Sequence, residues 1–363
     1  MKFKAKKDDL LQGIQTVQNV ISSKISLPVL SNILVEAQED KIRLTATDLD
    51  VGITCVLPVD VQEQGAVTIP AKRFSDIVRD LPAEEVSIAA KKNNQVNIDA
   101  GSCQFKIMGL PYEEFPRLPE LKDKEVVRLQ QSDLQQMLVL TSFAASADAT
   151  RYVLNGILFK VQADKLTLVA TDGKRLAVAD CKLSRGFDRS SSIIVPIKAI
   201  HELGRNLREG AEVSLIIGNN QALFDLGQAV IVSRLIEGEF PDYRQVIPQP
   251  SENKMRADRQ GFLLAVKRAA LLSTPDYQAV KLELFKNKLV VSKSTPDIGE
   301  SREEMAVEYQ GKELAIGFNP YYLIDCLKNI AEEKITIELT DSEKPGVIRR
   351  DNYVYIVLPM RLS

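Results

Sequence analysis

Tryptophan is absent from this 363-residue chain, histidine occurs once and cysteine four times. Each scarcity excludes something. A zinc site needs clustered Cys or His ligands, and Cys55, Cys103, Cys181 and Cys326 are scattered with no CxxC pair. In a reducing compartment such thiols are expected to be buried small hydrophobes. Nucleophilic catalysis through a Ser-His or Cys-His pair would have to use His201, which sits in a helix-like stretch and reads as a helix-face residue. No run of about 18 apolar residues occurs, so no membrane-spanning helix is expected. The opening Met1–Lys7 lacks the apolar core of a signal peptide and reads as a strand, leaving the cytoplasm as the expected compartment. No glycine-rich phosphate loop appears, so the residues offer no catalytic or cofactor constellation.

An excess of one charge sign is missing too. Lys plus Arg against Asp plus Glu is 16 to 18 in residues 1–124, 14 to 14 in 125–248 and 17 to 17 in 249–363. No segment is basic overall, which by itself speaks against binding to nucleic acid.

What is present is repetition. Ile42-Arg43-Leu44-Thr45-Ala46-Thr47-Asp48 returns 124 residues later as Leu166-Thr167-Leu168-Val169-Ala170-Thr171-Asp172, and more faintly as Leu289-Val290-Val291-Ser292-Lys293. Ile69-Pro70-Ala71-Lys72 matches Val195-Pro196-Ile197-Lys198, with a degraded copy at Phe318-Asn319-Pro320-Tyr321. The copies close on Leu110-Pro111 with Phe115-Pro116, on Phe240-Pro241, and on Leu358-Pro359-Met360-Arg361-Leu362. A period this long is a whole domain, well above the solenoid range of about 20–50 residues. Three domains are expected, at 1–124, 125–248 and 249–363.

Each unit reads alike. An opening strand leads into an amphipathic helix, with Asp8 or Asp9 expected to cap the first and Ser132 or Asp133 the second. Alternating strands with short turns follow and indicate antiparallel hairpins. A Pro-bearing turn then opens a second helix, over Ala71–Asp80, Ile197–Leu207 and Pro320–Ile330. The fold class is α+β, two helices laid on antiparallel sheet in each copy. These helices revise the charge argument. Lys72, Arg73, Arg79, Lys198, Arg205, Arg208, Lys267, Arg268 and Lys328 face only Asp76, Asp80, Glu202 and Asp325 within them. A solvated helix face would explain one such bias, but it recurs at equivalent places.

The chain closely resembles the bacterial DNA sliding clamps, the β subunits of DNA polymerase III. The likeness rests on Leu30-Ser31-Asn32-Ile33-Leu34, Thr47-Asp48-Leu49, Arg151-Tyr152-Val153-Leu154-Asn155-Gly156, Ala170-Thr171-Asp172-Gly173-Lys174-Arg175-Leu176-Ala177, Phe240-Pro241-Asp242-Tyr243-Arg244 and the terminal Leu-Pro-Met-Arg-Leu. It runs end to end. The resemblance implies a head-to-tail homodimeric ring with helices inside and sheets outside. Duplex DNA threads it without sequence specificity, and the replicative polymerase, the clamp loader and other proteins with clamp-binding motifs dock on it. It implies a non-catalytic processivity factor of a DNA-directed DNA polymerase, a nucleotidyltransferase only through its holoenzyme, with no cofactor.

The same resemblance implies residue roles. A peptide groove would be lined by Leu154, Thr171, Gly173, Lys174, Arg175, Leu176, Pro241, Val246, Ile356, Val357, Leu358, Pro359, Met360, Arg361 and Leu362. Without the family, Leu154 and Leu176 would read as ordinary core. Lys174 stands where relatives often carry His and Gln245 where Arg is frequent, so fine peptide specificity should differ; Pro345 falls in a variable loop nearby. The ring contact would set Lys72, Phe105 and Ile107 against Leu271, Leu272, Glu300, Glu303 and Glu304. Lys24, Arg151, Tyr152 and Lys198 would lie near the DNA, joined by Arg79, Arg205 and Lys267 on helix-face grounds. The last copy stops where the others run on, which is expected to leave Leu358–Leu362 to finish the groove. Two other readings stay open: an enzyme using Asp48 and Asp172, which as isolated equivalents read as turn residues, and a monomeric peptide-binding scaffold.

Overall fold

The computed structural model describes residues 1–21, 27–119 and 126–362. Lys24 therefore lies outside the described residues. The first copy runs β1 (Lys2–Lys6), α1 (Lys7–Gln18), β2 (Asn32–Gln38), β3 (Lys41–Thr47), β4 (Val51–Pro58), β5 (Asp60–Glu63), β6 (Gly65–Pro70), α2 (Ala71–Asp80), β7 (Glu85–Ala90), β8 (Gln95–Ala100) and β9 (Cys103–Met108). The second runs β10 (Val126–Gln130), α3 (Gln131–Thr141), β11 (Gly156–Thr171), β12 (Arg175–Pro196), α4 (Ile197–Asn206), β13 (Glu212–Ile217), β14 (Gln221–Asp225) and β15 (Ala229–Arg234). The third runs β16 (Lys254–Asp258), α5 (Arg259–Ala270), β17 (Val280–Phe285), β18 (Lys288–Thr295), β19 (Gly299–Ala306), β20 (Leu314–Phe318), α6 (Pro320–Asn329), β21 (Lys334–Glu338), β22 (Gly346–Arg350) and β23 (Tyr353–Val357). Three tandem copies of two helices on antiparallel strands are thus present.

The chain divides into two compact units, and the middle copy contributes to both. One unit comprises Met1–Leu134 with Lys198–Leu235, the other Gln135–Ile197 with Ile236–Ser363. In the first unit, five strands are ordered β5-β1-β7-β8-β9 and eight are ordered β10-β13-β14-β15-β4-β3-β2-β6. The larger sheet runs across copies because β15 pairs antiparallel with β4, Ile231 opposite Ile53. In the second unit the orders are β11-β12-β23-β22-β21-β16 and β19-β18-β17-β20. There β12 meets β23, Leu176 opposite Ile356. Period-two alternation buries one face of many of the strands, as in β17, where Val280, Leu282 and Leu284 are buried.

Several local expectations need correction. Helix α1 begins at Lys7, so Asp8 and Asp9 lie in its first turn, where the helix dipole favours them, and cap nothing. Helix α3 begins at Gln131, which places Ser132 and Asp133 inside it. Side-chain capping is seen in the third copy, where Asp258 accepts from Gly261 N at 2.6 Å. Arg208 falls beyond the end of α4. Of the thiols, Cys55 and Cys326 are buried but Cys103 and Cys181 are half-buried. Among the described residues, no helix is long and apolar enough to cross a membrane.

Candidate functional site

Two turns carry the repeat down to single hydrogen bonds. In the second unit, Thr171 Oγ1 donates to Arg175 O at 2.6 Å and accepts from Gly173 N at 3.0 Å. Asp172 Oδ1 accepts from Lys174 N at 2.9 Å and Arg175 N at 3.0 Å. The first unit repeats this with Thr47, whose hydroxyl bonds Val51 O and Leu49 N, and with Asp48, which accepts from Asp50 N and Val51 N. The residue after each Asp is left-handed, at φ 84° for Gly173 and 80° for Leu49. Glycine takes that conformation without strain and leucine does not. Both recurrent aspartates are therefore turn residues.

What the turns present differs. In the second unit the register places Lys174, Arg175 and Leu176 where the first has Asp50, Val51 and Gly52. Leu176 is buried in a cluster with Leu158, Val169, Ile194 and Ile356, against which Val153, Phe240 and Tyr243 pack. In the first unit a side chain on Gly52 would come within 2.5 Å of Leu118, which fills that place instead.

Arg175 is the most constrained charge here, only 10% exposed. Its Nε bonds Asp172 at 3.1 Å and its Nη1 bonds Asp325 of α6 at 2.7 Å. The guanidinium lies over the rings of Tyr322, at 4.5 Å, and Phe143, at 5.6 Å. Burial works against its charge, but the Asp325 bond and the nearby Tyr355, Asp172 and Asp325 outweigh that and raise its pKa. The sequence placed none of Asp325, Tyr322 and Phe143 at this site, and Asp325 read only as a helix acid. Asp325 is 150 residues from its partner, a pairing no local signal announces.

The terminal segment completes this wall. Leu358 N donates to Lys174 O at 2.9 Å, and Met360 N donates to Gly317 O at 2.8 Å, pairing the tail with β20. A side chain on Gly317 would come within 2.7 Å of Met360 O and 2.8 Å of Leu362, so only glycine admits the tail so closely. The same return closes the other copies, Leu110 on Thr68 and Ile236 on Ile194. Of the sequence-derived groove residues, Leu176, Ile356 and Val357 are buried; Leu154, Thr171, Arg175, Pro359 and Met360 are half-buried. Gly173, Lys174, Pro241, Val246, Leu358, Arg361 and Leu362 are exposed. An apolar floor with an exposed rim suits a short apolar segment.

The proposed DNA-facing residues are placed individually. Arg151 donates to Asp172 O at 3.2 Å, and Tyr152 donates to Glu237 O at 2.5 Å while remaining 54% exposed. Lys198 is held by the Asp48 carboxylate and by Val20 O. Arg79 pairs with Asp76 and Arg205 with Glu202, both within one helix turn, and Lys267 is half-buried on α5. Of the ring-contact residues, Phe105 and Ile107 lie on β9, an outer strand of its sheet, with Phe105 40% exposed. Glu300, Glu303 and Glu304 lie on β19, likewise an outer strand, where Glu303 bonds Arg268 and Glu304 bonds Arg302. Leu271 is 80% exposed, Leu272 is half-buried, and Lys72 is exposed at the start of α2.

Comparison with known proteins decides what these parts belong to. Models of the N-terminal, central and C-terminal domains of the DNA polymerase III beta subunit match residues 1–119, 128–242 and 244–361. The chain belongs to the DNA polymerase III beta subunit family. It is 34% identical to the beta sliding clamp of Chlamydia muridarum, covering 100% of this chain and 99% of that one. Identity to the Escherichia coli K12 beta sliding clamp is also 34%, over the whole of both chains. The Bacillus subtilis DNA polymerase sliding clamp superimposes with a TM-score of 0.95 at 31% identity, and the Pseudomonas aeruginosa DNA polymerase III subunit beta with 0.94 at 34%, each covering 100% of both chains.

Proposed function

We propose that two copies of this chain join head to tail into a ring that encircles duplex DNA and tethers the replicative polymerase, its loader and other docking proteins. The chain acts in the cytoplasm as a processivity factor and performs no chemistry itself. The observation that carries the docking role is the wall built by Leu358–Leu362 on Lys174 and Gly317 beside the Leu176 cluster. Its apolar floor and flexible Met360 suit short apolar motifs from several partners. Natural divisions at 1–124, 125–248 and 249–363 follow the repeat, and each supplies one arc.

The ring contact is assigned to β9 of one copy and β19 of the next. Both are outer strands with free backbone edges, the arrangement that invites strand addition. A heterologous contact of this kind closes after two copies when the rotation permits. Phe105, Ile107, Leu271 and Leu272 supply its apolar part; the ion pairs available to Lys72 and to Glu300, Glu303 and Glu304 are exposed and contribute little, because water screens them. Arg79, Arg151, Tyr152, Lys198, Arg205 and Lys267, with Lys24, are assigned to phosphate contacts that attract DNA without reading bases. A phosphate competes with Asp48 for Lys198, which keeps that contact weak enough to slide.

Removing Met360–Leu362 tests the docking assignment. Binding of a polymerase-derived peptide should be lost while sedimentation still reports a dimer. Unchanged peptide affinity after that truncation would refute the assignment.

A further inference from the structure

Counting five residues from Lys41, Lys165 and Lys288 reaches Ala46, Ala170 and Lys293. Two copies bury a methyl group there, and the third buries a lysine that is 5% exposed. Two residues further on, the turn aspartates Asp48 and Asp172 give way to Thr295, which is also buried. Lys293 and Thr295 flank the exposed Ser294, so both stand with Leu289 and Val291 on the face of β18 that meets α5. Burying an ammonium costs stability unless its donors are satisfied. The other copies fill this position with a methyl group, so packing of the sheet alone does not call for a lysine.

What the two side chains hold is the connection between α5 and β17. Residues 271–279 belong to no helix or strand, so their carbonyls have no ladder to join. Side chains of β18 satisfy three of them. Lys293 Nζ donates to Tyr277 O at 2.7 Å and to Ala279 O at 2.8 Å, and Thr295 Oγ1 donates to Leu272 O at 2.5 Å. The bonds from the ammonium are charge-assisted and therefore the strong ones. Within the connection, Thr274 N donates to Tyr277 O at 3.1 Å and Ser273 Oγ to Gln278 O at 3.4 Å, which closes it into a compact turn. The connection opens with Leu271, exposed by 80%, and Leu272. Leu271 gains little apolar contact from its own copy, so its placement depends on how the main chain beside it is held.

We propose that Lys293 and Thr295 are positioning residues for the ring: from inside the third copy they fix the segment that offers Leu271 and Leu272 to a second copy of this chain. The inference rests on the ring contact assigned above. Sedimentation of the full chain over a dilution series, below the thermal midpoint of each variant, tests it. Lys293→Met should raise the dimer dissociation constant about tenfold. Thr295→Val, which removes one donor and keeps the shape, should raise it several-fold and decides the matter if Lys293→Met fails to fold. With Leu271→Ala and Leu272→Ala already in place, either change should weaken the dimer little further, because the segment then has no apolar contact left to place. A residue that served only its own core would lower the thermal midpoint and leave the dimer constant alone. That result, for variants of a chain whose dimer Leu271→Ala with Leu272→Ala does weaken, would overturn the proposal. If those two alanines leave the dimer intact, the ring-contact assignment falls and takes this inference with it.

Discussion

Arg175 shows how much one side chain can organise. Held by Asp172 and Asp325 and stacked on Tyr322, it fixes the turn that presents Lys174 and Leu176. Asp325→Asn keeps the shape but weakens a charge-assisted bond, which should cost about 1–2 kcal/mol and lower peptide affinity several-fold in a titration. Glu202 makes a second case. It is 2% exposed with one oxygen unpartnered, and burial raises its pKa above the usual carboxylate range despite Arg205 and Lys198. The folded state thus holds the proton more tightly than the unfolded chain, so this group favours folding at acid pH and loses that effect as pH rises through its raised pKa. Glu202→Gln should raise the thermal midpoint at pH 7 and leave it nearly unchanged near pH 4, as calorimetry would show. Residue roles were unevenly legible. The turn aspartates betrayed themselves by recurring, whereas Asp325 counted only as one more helix acid, because its partner is 150 residues away.

At the scale of elements, the second helix of each copy was readable from its Pro-bearing entry, and the observed starts at Ala71, Ile197 and Pro320 agree. The caps were not readable, because an acidic residue near a helix start serves the dipole as well from the first turn. Nor was the length of β11 and β12 visible, since a short turn expected between alternating strands does not say that pairing stops. The outer strands β9 and β19 carry the prediction at this scale. Phe105→Ala with Leu272→Ala removes apolar contact worth about 1.5–3 kcal/mol per side chain at each of the two junctions of a ring. The dimer should dissociate at least about tenfold more readily in sedimentation. A double variant still wholly dimeric at nanomolar protein would count against this interface.

For the whole molecule, the repeat predicts three domains, while compactness divides the chain in two because sheets cross from copy to copy. Charge that is balanced over a chain can still be sorted locally, with Arg259, Lys267 and Arg268 unopposed on α5 and Glu300, Glu303 and Glu304 on the β19 edge. The first unit does not repeat the wall proposed for docking: its equivalent turn carries Asp50 and Gly52 under Leu118 in place of Lys174 and Leu176. The central claim is topological. The most direct measurement loads the protein on nicked circular DNA with a clamp loader, then follows its retention before and after linearisation at moderate salt. Retention on the circle and rapid loss from the linear form is the predicted result. Equal retention on both would contradict it, because contacts, not encirclement, would then be holding the DNA.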